Sequence, residues 1–260
     1  MRVLRVLHQE RIFYGSLVDN AVHCLNKELG YEAPIPLKEL SVLPPVMPTK
    51  IVCLAVNYRK HAEECGRDIP EEPILFLKPP SAVIGCGQAI VLPSQSSRVD
   101  YEGELAMVIG KACRNVTPEQ APEHVFGYAC ANDVTARDLQ KKDGLFARAK
   151  GFDTFAPIGP WIETEVKDPA NLSIKTLVNN ELRQDGHTSD MIFPPFDILS
   201  MISQVMTLNP GDVILTGTPP GIGPIKPGDD IRIEIEEVGI LINPVAQDPN
   251  QPDAKTTLTQ

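Results

Sequence analysis

Twenty-five prolines and eighteen glycines are scattered along the 260 residues rather than gathered in one tract. Proline fixes φ and removes a backbone donor, so a chain punctuated this often is cut into short segments, few of them long enough for a helix. A β-rich chain follows. Strands are expected over 51–56, 74–77, 89–92, 104–109, 174–178, 212–216 and 230–237. In the last, Ile231, Ile233 and Ile235 alternate with Arg232, Glu234 and Glu236, the period of a strand with one wet face. Helices are expected over 57–65, over 134–146 and over 196–206, where Ile198, Leu199, Ile202, Val205 and Met206 recur at helical spacing.

The length allows one large domain or one plus a small appendage. Residues 1–47 read as a small β-rich module ending in the linker Leu43-Pro44-Pro45-Val46-Met47-Pro48, and 48–245 as the catalytic domain. Residues 246–260, almost without apolar side chains, read as a disordered tail, because burial there cannot offset ordering entropy. No fixed repeat of 20–50 residues is present, which sets solenoids and propellers aside.

Lys and Arg number 24 and Asp and Glu 34, a net charge of −10, which repels phosphate backbones and anionic membrane surfaces. Nucleic acid is not expected as a partner. Neither is a membrane, since the mean hydropathy is −0.09 and no apolar run approaches the roughly 18 residues of a spanning helix. Charge interrupts Met1-Arg2-Val3-Leu4-Arg5 before a signal-peptide core can form, so a cytoplasmic location is expected. The cysteines at 24, 53, 65, 86, 113 and 130 form no CxxC and read as buried free thiols.

The stretch Val99-Asp100-Tyr101-Glu102-Gly103-Glu104-Leu105 carries the strongest chemical signal. Strand geometry sends residues two apart to one face, so Glu102 and Glu104 are aimed together. Two carboxylates that close need a shared proton or a cation, and an all-oxygen set selects a hard ion such as Mg²⁺, Mn²⁺ or Ca²⁺. Asp133, following the apolar Tyr128-Ala129-Cys130-Ala131, sits where a strand ends and a helix begins, and supplies a third carboxylate. The alternative reading is a solvated strand face with Asp133 as a helix cap. In Asn57-Tyr58-Arg59-Lys60-His61-Ala62-Glu63-Glu64, a short helix places His61 and Glu64 on one face, where the carboxylate fixes the imidazole tautomer and raises its basicity. That pair fits a water-activating base or an ordinary surface pair. Lys150 stands among small and apolar residues. The segment Leu215-Thr216-Gly217-Thr218-Pro219-Pro220-Gly221 lacks the ending of a Walker loop, and reads as a carboxylate cradle or a structural turn.

Taken in order over about residues 48–245, these segments, with Asn132-Asp133-Val134-Thr135-Ala136-Arg137-Asp138-Leu139-Gln140, Ala149-Lys150-Gly151-Phe152-Asp153 and Asp185-Gly186-His187-Thr188-Ser189-Asp190, resemble the fumarylacetoacetate hydrolase superfamily. The resemblance implies an α+β, mainly β fold: a mixed β-sandwich roll of the type of that family's C-terminal domain, usually a homodimer. It implies a divalent cation, Mg²⁺ or Mn²⁺, on Glu102, Glu104 and Asp133, and a 2-oxo acid substrate held and polarised by Arg137, Gln140, Lys150 and Thr218. It places His61 and Glu64 on a lid that orders on binding. A Lewis acid on a 2-oxo group stabilises the enolate common to hydrolysis, decarboxylation and tautomerisation. Hydrolytic C–C cleavage of an acylpyruvate-like substrate is the leading expectation, with His61, Glu64 and Lys150 as the catalytic set. Isomerisation or decarboxylation of 2-hydroxy-dienedioates from aromatic catabolism comes next, then oxaloacetate decarboxylation. The rival of another class is a non-catalytic binding protein on the same fold.

Overall fold

A computed structural model describes residues 1–249. The strand Gly103–Ile109 is its organising element and is buried along its whole length. Its side chains alternate between two different cores. Leu105, Met107 and Ile109 enter the larger one, and Ala106 and Val108 the smaller. A strand covered on both faces has no polar face to show, which is why this segment reads as a continuous apolar run.

Around it lies a sheet of mixed direction. Gly103–Ile109 pairs antiparallel with Val125–Asn132 on one side and with Val213–Leu215 on the other. From there the sheet continues through Ile51–Leu54, parallel to Val213–Leu215, to Leu75–Lys78 at its edge. In the other direction Val125–Asn132 pairs with Ala156–Glu163. A second sheet, Glu181–His187, Ser173–Val178, Asp230–Ile235, Gly239–Gln247 and Ile90–Leu92, supplies Ile174, Ile231, Ile233 and Ile235 to the larger core. Two sheets packed over one core make the expected mainly-β sandwich. The two sheets approach closely at Gly103, where an added Cβ would lie 2.2 Å from Thr176 Oγ1. Only glycine fits between Glu102 and Glu104, so the sheet contact and the paired carboxylates depend on the same residue.

The N-terminal strands Arg2–His8, Arg11–Val18, Ala21–Cys24, Ile35–Pro36 and Ser41–Leu43 enclose a small cluster of Leu4, Val6, Phe13, Val22 and Ile35. They also extend the large sheet, with Arg2 opposite Glu163 and Val3 opposite Ile162. The hairpin of Ser173–Val178 and Glu181–His187 turns on Asn179 and Asn180, at φ 52° and 65°. Asparagine tolerates that left-handed geometry, so the Asn-Asn pair serves a turn in which Asn-Gly is more usual.

Several sequence expectations are corrected. The helix expected over 134–146 begins later, at Arg137–Asp143, because Thr135–Ala136 is drawn into a strand pair with Val99 and Asp100. Asp133 therefore sits between two strands rather than at a helix start. The helix at 57–65 is shorter, Arg59–Glu64, and that at 196–206 is Pro195–Val205, burying Ile198, Leu199 and Ile202. The expected tail begins too early: parallel pairing with Ile90–Leu92 holds residues 246–247 in a strand, and the rest of that expectation from residue 250 lies outside the described residues. All six cysteines are free, but only Cys53, Cys113 and Cys130 are buried; Cys24 and Cys86 are half-buried and Cys65 is exposed. Among the described residues no helix is long and apolar enough to cross a membrane.

Candidate active site

Glu102 lies in the one-residue break between the strands Val99–Tyr101 and Gly103–Ile109, and Glu104 opposes Ala131 one residue before the end of Val125–Asn132. Asp133 follows directly, its backbone N–H donating to the Glu102 carbonyl at 2.8 Å. The three carboxylates are buried, and ligand oxygens from all three lie within 4.8 Å of one another.

Buried charge is tolerated only when paired. The Lys150 ammonium donates to Glu102 Oε2 at 2.8 Å and also to Asp133 Oδ2. Lys78, on the edge strand Leu75–Lys78, donates to Asp133 Oδ1 at 2.6 Å and to the Val134 carbonyl at 3.1 Å. Arg137 donates to Glu102 Oε1, to Asp100 Oδ2 at 3.0 Å and to Gln140 Oε1 at 2.8 Å. Burial alone would push the Glu102 carboxyl up, yet Lys150 and Arg137 overcome it and hold the group well below the usual range. Among the described residues Glu104 has no ion-pair partner and accepts from the Gly217 N–H at 2.7 Å. Burial, with Asp133 and Glu102 beside it, raises its carboxyl well above normal. Burial also lowers the Lys78 amine against the pull of Asp133.

This arrangement fits a hard divalent cation. The donors are all oxygen, they converge, and the negative charge left uncompensated at Glu104 is what an added cation would neutralise.

Glu102 reaches the wall of a cavity of about 530 Å³, where it meets His61, Arg137, Gln140 and Lys150. His61 Nδ1 is 3.0 Å from Glu64 Oε2, and Glu64 Oε1 accepts from the Gly221 N–H at 2.9 Å. The helix Arg59–Glu64 that carries the pair is rooted by Asn57, whose side-chain amide donates to the Thr216 and Phe193 carbonyls and accepts from the Phe193 N–H. Gly217, at φ 99°, lies against Asn57 so closely that a Cβ there would come within 2.7 Å of the Asn57 Cβ. Burial would lower the His61 imidazole, but Cys65, Glu102 and Glu64 together raise it.

Of the residues singled out in the sequence, the fold brings His61, Glu64, Glu102, Arg137, Gln140 and Lys150 to one cavity wall. Glu104 and Asp133 join Glu102 from beneath that wall. Thr218 is placed elsewhere: its hydroxyl donates to the Gly103 carbonyl and accepts from Gln184 Nε2, both at 2.8 Å. It braces the backbone at Gly103, between the two glutamates. Sequence reasoning passed over Lys78, Asp100, Arg98, Arg67, Lys141 and Cys65. Lys78 had a signal, a lysine closing the apolar Leu75-Phe76-Leu77, whereas Arg67 and Lys141 look like any surface cation until the cavity is seen.

The family model for the fumarylacetoacetate hydrolase C-terminal domain matches residues 50–246. The chain is 44% identical over 232 residues to the human mitochondrial oxaloacetate tautomerase FAHD2A, covering 84% of this chain and 74% of that protein. Its fold superposes at a TM-score of 0.87 on 2-hydroxyhepta-2,4-diene-1,7-dioate isomerase from Mycobacterium marinum, with 41% identity over 96% of this chain and all of that one. It superposes at 0.80 on maleylpyruvate hydrolase from Sphingobium sp. SYK-6, solved with manganese(II) and pyruvate, with 35% identity over 95% and 99% of the two chains. Motif order, sheet architecture and these likenesses agree, and the chain belongs to the fumarylacetoacetate hydrolase family of enzymes.

Proposed function

We propose that this protein is a divalent-metal-dependent enzyme that interconverts the keto and enol forms of a small 2-oxo dicarboxylic acid, with residues 48–245 as its catalytic domain and His61 as the group that moves the C3 proton. The observation that carries this reading is the meeting of one oriented imidazole with a cationic, carboxylate-lined wall in a single cavity. Glu102, Glu104 and Asp133 would hold Mg²⁺ or Mn²⁺, which supplies Lewis acidity toward a 2-oxo group.

The chain's own residues do the rest. Glu64, fixed by the Gly221 N–H, holds the His61 ring by accepting from Nδ1–H, which leaves Nε2 as the basic nitrogen. Lys150 keeps Glu102 ionised, pairs with Asp133 and presents positive charge where negative charge develops on the substrate. Arg137 positions Glu102 and Gln140 together. Arg98 also lines the cavity but is engaged by Asp100, at 3.0 and 3.2 Å. Arg67 and Lys141 line it too, and among the described residues their side chains have no ion-pair partner. Two such cations in the lining suit the far carboxylate of a dianionic substrate. The tautomerase and the diene-dioate isomerase among the relatives act on acids of this kind by their names.

Hydrolytic C–C cleavage is the second reading. The same His61–Glu64 pair is equipped to activate water, and the hydrolase likeness supports it. Stopped-flow conversion of enol-oxaloacetate, run beside cleavage of an acylpyruvate with and without Mg²⁺, separates the two. Metal-dependent enol conversion that far outpaces cleavage supports the first reading, and the reverse ratio supports hydrolysis. Turnover of neither, with retained oxalate binding, would show a binding protein. A homodimer is carried over from the family likeness, and light scattering tests it.

A further inference from the structure

Among the described residues a second group of three ligand side chains converges besides the carboxylate triad: His61, Glu64 and Cys65, with donor atoms within 4.8 Å of one another. Its chemistry is the opposite of the first. The triad is oxygen only, whereas this group offers imidazole nitrogen, carboxylate oxygen and thiol sulfur, a set that selects zinc or another thiophilic ion over magnesium. The spacing fits. Metal–ligand lengths of about 2.3 Å to sulfur and 2.0–2.1 Å to nitrogen and oxygen set tetrahedral edges of about 3.5 Å for S···N and 3.4 Å for N···O. Cys65 Sγ lies 3.9 Å from His61 Nδ1, and Glu64 Oε2 lies 3.0 Å from the same nitrogen. Cys65 Sγ is also 3.7 Å from His61 Nε2, so closing the site asks the Cys65 side chain to rotate toward Nδ1.

Its parts are also supported. Glu64 is anchored through its other oxygen by the Gly221 N–H, and His61 is buried, so two of the three donors are already ordered. Cys65 is exposed and lines the cavity, which leaves a fourth position open to water.

We propose that His61, Glu64 and Cys65 form a second metal site, selective for zinc-like thiophilic cations, in the lining of the cavity. Occupation moves the ring proton from His61 Nδ1 to Nε2 so that Nδ1 can ligate, releases the thiol proton to solvent and forms the metal–thiolate bond. Loss of turnover on zinc binding is a consequence that rests on the role proposed for His61; the site itself does not.

The test titrates Co²⁺ into full-length protein held in saturating Mg²⁺, with thiols kept reduced by a phosphine. A near-ultraviolet thiolate-to-cobalt charge-transfer band is expected to saturate at one equivalent, and to disappear in Cys65→Ser. No sulfur lies in the carboxylate triad, so ordinary metal exchange there cannot produce the band. Absence of the band in the wild type, or its persistence in Cys65→Ser, overturns the proposal. In parallel, Zn²⁺ is titrated against turnover, each variant scaled to its own zinc-free rate. Half-inhibition is expected at a zinc concentration at least tenfold higher in Cys65→Ser. A saturating cobalt band in an enzyme whose turnover zinc leaves intact keeps the site and sinks the assignment of His61.

Discussion

The Lys78 ammonium lies 2.6 Å from Oδ1 of Asp133, with both side chains fully buried and 55 positions apart in the chain. The pair ties the edge strand of the large sheet to the floor of the carboxylate cluster. Removing one partner of a buried pair strands the other charge in a low-dielectric site. Lys78→Ala is expected to cost about 3–5 kcal/mol of stability in the metal-free protein, read by urea denaturation. Added Mn²⁺ should recover part of that loss, since a cation on Asp133 offsets the missing ammonium. A loss below about 1 kcal/mol would show that Lys150 alone suffices for Asp133.

Glu104→Gln separates metal binding from folding. The amide keeps an oxygen for the Gly217 N–H but removes the charge that Asp133 and Glu102 repel. The metal-free variant should melt higher than the wild type, while Mn²⁺ affinity, followed by electron paramagnetic resonance, falls at least about tenfold. Unchanged affinity would place the cation elsewhere.

Protons and metal compete at the same cluster. Because the Glu104 carboxyl is raised, it stays protonated to a higher pH than an ordinary glutamate, and metal binding must expel that proton. Apparent Mn²⁺ affinity should therefore climb with pH through the raised value and then level off. His61 is raised as well, so the neutral base accumulates at a higher pH than in an ordinary imidazole. Turnover at saturating metal should rise with pH through that point, and His61→Ala should abolish the rising limb while lowering kcat about 10²–10⁴-fold. An unchanged pH profile in the variant would remove His61 from the proton transfer.

Arg67 and Lys141 should distinguish dianionic from monoanionic substrates. A charged hydrogen bond contributes about 1.5–3 kcal/mol, so Arg67→Ala should raise KM about ten- to a hundredfold for a 2-oxo diacid. KM for pyruvate-sized monoacids should be unaffected. Equal effects on both classes would place Arg67 outside the substrate's reach.

The sequence by itself determined the β-rich architecture and the metal-binding candidates, because both are written in short-range spacing. Proline and glycine cut the chain to strand length, and the Glu102-x-Glu104 step puts two carboxylates side by side through strand geometry alone. The His61–Glu64 pair is equally local, one turn of one helix. Tertiary structure decided what surrounds these groups. Lys78 reaches Asp133, and Gly217 reaches Glu104, only because strands from distant parts of the chain are brought into one sheet, and a single residue's shift in register would turn each side chain away. Cys65 and Arg67 become cavity residues for the same reason. Both stay exposed, and only the packing of helix Arg59–Glu64 against the Gly217–Gly221 turn brings them to the cavity that Glu102 and Lys150 line. Thr135 and Ala136 show the converse: a local helical preference yields when a partner strand, Val99–Tyr101, offers its backbone hydrogen bonds.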